Sequence, residues 1–178
     1  MNSYAVFLRG INVGGITIKM ADLRDALKSR PFTGTKTLLA SGNVVLSSGL
    51  DPAGVKEEFE ACLQETFGYG AWVVVLTAGR VAELVAACPY PADNASTHTY
   101  LTLASDPDVL SDLHGAARAL DGAELTLLGP EAIAWLAPAG GTLDSPFSKL
   151  SSKSKYKAAT TTRNLRTMIK VCEAAAKL

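Results

Sequence analysis

Residues 35–47 read Thr-Lys-Thr-Leu-Leu-Ala-Ser-Gly-Asn-Val-Val-Leu-Ser, and the fold turns on this stretch. Residues 35–40 and 44–47 are rich in β-branched and aliphatic side chains and read as two strands. Ser41-Gly42-Asn43 between them supplies the residue types that a tight hairpin turn needs. On the N-terminal side, Met20, Leu23 and Leu27 recur at helical spacing over residues 19–30, and Pro31 ends that helix. Residues 4–8 form an aromatic and β-branched run, a strand, followed by a break containing Gly10, Asn12, Gly14 and Gly15. On the C-terminal side, Asp51-Pro52 offers an N-cap and a first-turn proline. Val55, Phe59, Leu63 and Phe67 then form one apolar stripe, and Gly68 supplies a stop. Residues 71–76 are a continuous apolar run, the mark of a strand buried on both faces. The order is β-α-β-β-α-β, that of a ferredoxin-like unit.

The pattern then returns. A helix over 78–87, with Val81, Leu84 and Val85 inward, leads to Cys88-Pro89-Tyr90-Pro91 and a linker reaching Ser96. Residues 100–103 read as a strand, and Asp106-Pro107 starts a helix carrying Leu110, Leu113, Ala117 and Leu120. Residues 124–128 and 132–136 form a hairpin closed at Gly129-Pro130. After an irregular segment, a final helix is expected from near Thr162 to Lys177. The second half thus matches the first except for its last strand. The expected fold is α+β, two tandem ferredoxin-like (split βαβ, α-β plait) subdomains with antiparallel sheets. Residues 1–88 form the first, and residues 89–178 the second, with a basic loop and the C-terminal helix. The alternative is a single larger antiparallel sheet backed by helices.

Nearly half of the 178 residues are hydrophobic, enough for a packed core. No apolar run approaches the roughly 20 residues of a spanning helix, and the N-terminus has no signal-peptide pattern. The expectation is therefore a protein with no membrane partner. Cys62, Cys88 and Cys172 are far apart and include no C-x-x-C pair, which argues against a disulfide framework or zinc site and for the cytoplasm. The net charge of zero is unevenly spread: residues 1–50 carry +4, residues 51–146 carry −11 and residues 147–178 carry +7. The plain explanation is pairing of the acidic middle with the basic ends; the other is an anionic partner.

Three stretches look unlike ordinary surface. In Leu8-Arg9-Gly10-Ile11-Asn12-Val13-Gly14-Gly15, glycines let backbone N–H groups approach a ligand and Arg9 supplies a charge, a combination suited to phosphate or carboxylate. The spacing matches no nucleotide fingerprint, and a connection requiring positive φ is the simpler account. In the second stretch, Ser41 and Asn43 offer neutral polar groups, although a hairpin turn alone accounts for them. In the third, residues 148–166, lysines among serines and threonines lead to Arg163 and Asn164 in the expected first helical turn. Arg there opposes the helix dipole, as a site built for an anion would. The alternative is a flexible basic loop with an ordinary threonine cap. His98 and His114 lack metal or triad spacing. No metal or cofactor is expected, and Trp72 and Trp135 read as core.

The segments Leu8–Gly15, Met20-Ala21-Asp22-Leu23, residues 40–46 (Ala-Ser-Gly-Asn-Val-Val-Leu), Ser148-Lys149-Leu150 and Thr161-Thr162-Arg163-Asn164 together resemble the domain-of-unknown-function 1697 family. The resemblance spans essentially the whole chain. It implies a bacterial cytoplasmic protein of two ferredoxin-like subdomains and implies no activity. Leu165 stands where many relatives carry Trp.

The resulting expectation is a module binding an anionic, phosphorylated or nucleotide-like ligand. Arg9, Lys149 and Arg163 would supply charge, Asn12, Ser41, Asn43 and Asn164 would orient the ligand, and Gly14 and Gly15 would let the backbone approach it. Its rivals are nucleic-acid binding through the basic C-terminal region and a regulatory or oligomerisation module. A monomer and a homodimer both fit the sequence.

Overall fold

The computed structural model describes residues 1–10, 17–68, 70 and 72–178. The chain divides into two compact units, Met1–Ala82 with Ile169–Leu178, and Glu83–Met168.

The first unit runs β1 (Asn2–Leu8), α1 (Met20–Leu27), β2 (Thr33–Leu38), β3 (Asn43–Ser48), α2 (Pro52–Phe67), β4 (Val73–Thr77) and the start of α3 (Ala78–Ala87). Its antiparallel sheet has the order β2-β3-β1-β4, so the first strand lies in the middle. Alternation along β1 sends Tyr4, Val6 and Leu8 into a core with Leu23, Leu27, Val55, Phe59 and Leu63. Helices α1 and α2 therefore cover one face of the sheet, and Ala5, Phe7 and Val45 on the other face are buried as well. Each such side chain contributes about 1.5–3 kcal/mol on burial. The Tyr4 hydroxyl, taken into that core, donates to the Leu50 carbonyl at 2.7 Å. Helix α2 starts as its sequence directs: Asp51 Oδ1 accepts from Gly54 N at 2.8 Å, and Pro52 opens the first turn. It ends on Gly68, whose φ of 60° is the left-handed cap. The strand expected over 71–76 is β4, and Ala71 lies outside the described residues.

The second unit repeats this plan with β5 (Thr97–Ala104), α4 (Pro107–Ala117), β6 (Leu125–Leu127) and β7 (Ala132–Pro138). A 3-10 turn (Thr142–Asp144) and two short helices, α5 (Pro146–Ser151) and α6 (Ser154–Lys157), follow. Then come β8 (Thr160–Asn164) and the start of α7 (Leu165–Ala175), whose residues from Ile169 belong to the first unit. Its sheet order, β6-β7-β5-β8, is that of the first sheet. Two antiparallel four-stranded sheets with flanking helices are thus tandem ferredoxin-like folds.

One expectation is corrected here. The missing last strand exists: residues 160–164 pair antiparallel with β5, from Ala104↔Thr160 to Tyr100↔Asn164. The final helix begins at Leu165, and not near Thr162. A run of three threonines is β-branched and favours extended backbone. With no apolar alternation to mark it, only the partner strand reveals the pairing.

Candidate functional site

The first unit brings two of the singled-out stretches to one end of its sheet. Phe7 pairs with Asn43 and Leu8 with Val73, and Leu8 N donates to Gly42 O at 2.8 Å. Arg9, the next residue, therefore leaves the central strand between the Ser41-Gly42-Asn43 turn and the residue preceding β4, Trp72. The Arg9 guanidinium carbon lies 5.5 Å from the centroid of the Trp72 ring, in cation–π range. Lys56 Nζ lies 5.8 Å from the same ring. That ammonium donates to Val73 O at 2.9 Å and pairs with Glu60, whose carboxylate accepts from Val73 N at 2.9 Å. The Lys56–Glu60 pair, one turn apart on α2, thus satisfies both backbone groups at the start of an edge strand.

Asn43 is fully buried. Its Nδ2 donates to Leu38 O at 2.9 Å and to Ser41 Oγ at 3.0 Å, bracing the turn from inside. Ser41 itself is exposed. The turn needs left-handed backbone at Gly42, with φ 74°, and at Leu39, with φ 60°. Asn43 is therefore a structural brace of the turn, while Ser41 is exposed and Arg9 half-buried. Asn12, Gly14 and Gly15 lie outside the described residues.

None of the three candidates in the second unit lines a cleft described there. Lys149, on α5, is exposed and pairs loosely with Asp144 at 3.8 Å. Asn164 caps α7: its Oδ1 accepts from Arg166 N at 2.8 Å. Asp93 holds both neighbours, accepting from Asn164 Nδ2 at 3.4 Å and pairing with Arg166 Nε at 2.8 Å. Arg163 lies in β8, not in a helical turn, and is 7% exposed. Its Nη1 donates to Thr161 Oγ1 at 2.7 Å and to Thr162 O at 2.9 Å. Burial pulls its guanidinium down to about 10, because the charged form has lost water. It is still a cation at neutral pH.

Sequence reasoning overlooked two features. Trp72 is half-buried at the strand end and not core, whereas Trp135 is core as expected. The apolar neighbours of Trp72 concealed that it precedes the strand. In the second unit, a cleft of about 250 Å³ lies over Tyr100 and Trp135, lined by Ser148, Ser151, Ser152, Lys157 and Thr162 among others. Its signal was the alternation of serine and lysine through residues 148–157. Lys149, Arg163 and Asn164 are not among its described lining residues. Among the described residues no group of three or more His, Cys, Asp or Glu is arranged to hold a metal ion. Nor is any helix among them long and apolar enough to cross a membrane.

The two sheets and their flanking helices define an α+β protein of two ferredoxin-like units. The model of the DUF1697 family, proteins of unknown function, matches residues 1–129, and the chain belongs to that family. The same fold is found in the conserved bacterial protein SP0830 from Streptococcus pneumoniae, which is 18% identical over 99% of each chain with a TM-score of 0.83. No curated protein matches the chain.

Proposed function

We propose that this protein binds an anionic ligand, phosphorylated or nucleotide-like, at the end of the first sheet marked by Arg9, Trp72 and Ser41. The observation that carries the reading is the guanidinium of Arg9 over the Trp72 ring, beside a turn whose serine faces outward. A guanidinium offers a planar fork of donors to a phosphate, and an indole offers a face to a nucleobase. The proposed contact set extends to Asn12, Gly14 and Gly15 of the glycine-containing stretch, with Asn43 bracing the turn. Lys149, Arg163 and Asn164 of the second unit belong to the same proposed set of ligand-binding residues. Of these, Asn164 and Arg163 already serve the local structure. A bacterial cytoplasmic location accords with three free cysteines.

The basic-loop, nucleic-acid reading has less support. Lys155 pairs with Asp112 at 2.6 Å, which leaves one cation fewer for phosphates, while Lys149 is only loosely paired.

The test is a melting-temperature series with inorganic phosphate, pyrophosphate, AMP and a short RNA. A ligand at a hundred times its Kd adds about 2.7 kcal/mol, a rise of roughly 5–10 °C for a chain of this size. The expected result is a rise with AMP or pyrophosphate that disappears in Arg9→Gln. Flat melting temperatures across the series overturn the reading.

A further inference from the structure

The cleft of the second unit carries a recognition pattern of its own, readable from where each hydroxyl proton goes. A hydroxyl has one proton to give and two lone pairs to receive with. Ser151 and Ser152 donate theirs to the Ser148 carbonyl, at 3.1 and 2.7 Å. Thr160 donates to the Tyr156 carbonyl at 2.9 Å. Toward the cleft these three present acceptors only.

The opposite holds on β8. Trp135 Nε1 donates to Thr102 Oγ1 at 3.0 Å, and Thr102, fully buried, shares a 2.9 Å hydrogen bond with Thr162 Oγ1. A buried hydroxyl proton must find an acceptor, and Thr162 is the side-chain acceptor within reach. The relay therefore runs from Trp135 through Thr102 to Thr162, and the exposed Thr162 hydroxyl keeps its proton for the cleft. Two further donors join it. Among the described residues, the Ser148 hydroxyl makes no hydrogen bond and the Lys157 ammonium makes no ion pair, and both line the cleft. Beneath lies Tyr100, stacked on Trp135 with ring centroids 4.9 Å apart.

We infer that this cleft is a binding site for a small polyhydroxylated anion of the sugar phosphate class. Lys157, Thr162 and Ser148 donate to the anionic group. The polyol donates to Ser151, Ser152 and Thr160, and its apolar ring face rests on Tyr100. The volume, about 250 Å³, falls below the roughly 300–1,000 Å³ of drug-sized pockets and suits a monosaccharide. A ligand that only accepts, such as free phosphate, leaves the serine and threonine lone pairs unused.

The site is distinct from the Arg9–Trp72 end of the first sheet, and the chain's two tryptophans report on them separately. The experiment titrates the isotope-labelled full chain with ribose 5-phosphate, ribose and inorganic phosphate, following both indole N–H resonances. The expected result is a shift of the Trp135 signal with ribose 5-phosphate, at an affinity about tenfold or more above that for either fragment. Lys157→Gln is expected to weaken it roughly fivefold or more. Thr162→Val, which keeps the β-branched shape, is expected to weaken it as well, and the same spectra report whether each variant is folded. An unmoved Trp135 signal, equal affinity for inorganic phosphate and ribose 5-phosphate, or an unchanged affinity in folded Lys157→Gln overturns the inference. A shift of Trp72 alone would uphold the first-sheet site and reject this one.

Discussion

The side-chain amide of Asn43 donates to the carbonyl of Leu38 at 2.9 Å, spanning the four-residue turn that separates β2 from β3. A second bond from the same nitrogen reaches Ser41 Oγ at 3.0 Å. The amide is fully buried, so its value lies in what its loss leaves behind, a partly buried carbonyl short of a donor.

Asn43→Ala is accordingly expected to destabilise the protein by about 1–3 kcal/mol. Asn43→Asp is expected to cost at least as much, because a carboxylate oxygen would face the Leu38 carbonyl. Urea denaturation of the two variants measures this. A loss of less than a few tenths of a kcal/mol in both would show that the brace contributes nothing.

Leu39 is, among the described residues, the one non-glycine residue with left-handed backbone, at φ 60°. A Cβ there costs about 1–2 kcal/mol, partly offset in a glycine variant by the greater freedom of the unfolded chain. Leu39→Gly is therefore expected to be more stable than Leu39→Ala by about 0.5–1 kcal/mol. Since Leu39 is half exposed, the two variants lose similar packing, and comparing their melts isolates the backbone term. Equal stabilities would count against strain at this turn.

Arg163 tests the electrostatics of the second sheet. Its folded-state pKa is pulled down by burial to about 10, below the ordinary arginine value, so folding disfavours its charged form. The unfolded chain then binds more protons between those two values, and stability from this group rises with pH only above about 10. Wild type should show no pH dependence from Arg163 between pH 6 and 9. Arg163→Lys places in the same site a cation whose ordinary pKa is about 10.4, lowered further by the same desolvation. That variant's stability relative to wild type is expected to rise as pH climbs through its folded pKa toward 10.4. Denaturation curves at pH 6, 7.5 and 9 decide this, and a flat difference across them would mean that the lysine escapes to water.

The sequence alone was enough for much of what near neighbours hold, although α5, started by Ser145 and Pro146, falls in a segment read as irregular. Asp51-Pro52 and Asp106-Pro107 start helices because a carboxylate two or three residues back satisfies a free backbone N–H. The stripe from Val55 to Leu63 and the repeated order of elements follow from periodicity, and they sufficed for tandem ferredoxin-like folds. Tertiary structure decided the rest. Whether Thr160–Asn164 became strand or helix depended on β5, some 60 residues away, offering an open edge. Arg163 became a buried strand residue for the same reason, and Trp72 became the partner of Arg9 through the register of β1 against β4. Trp135, Thr102 and Thr162 likewise joined in one hydrogen-bonded chain only when three strands met. Local composition sets what a segment can form, whereas pairing between distant segments sets which groups are buried and which remain open to a ligand.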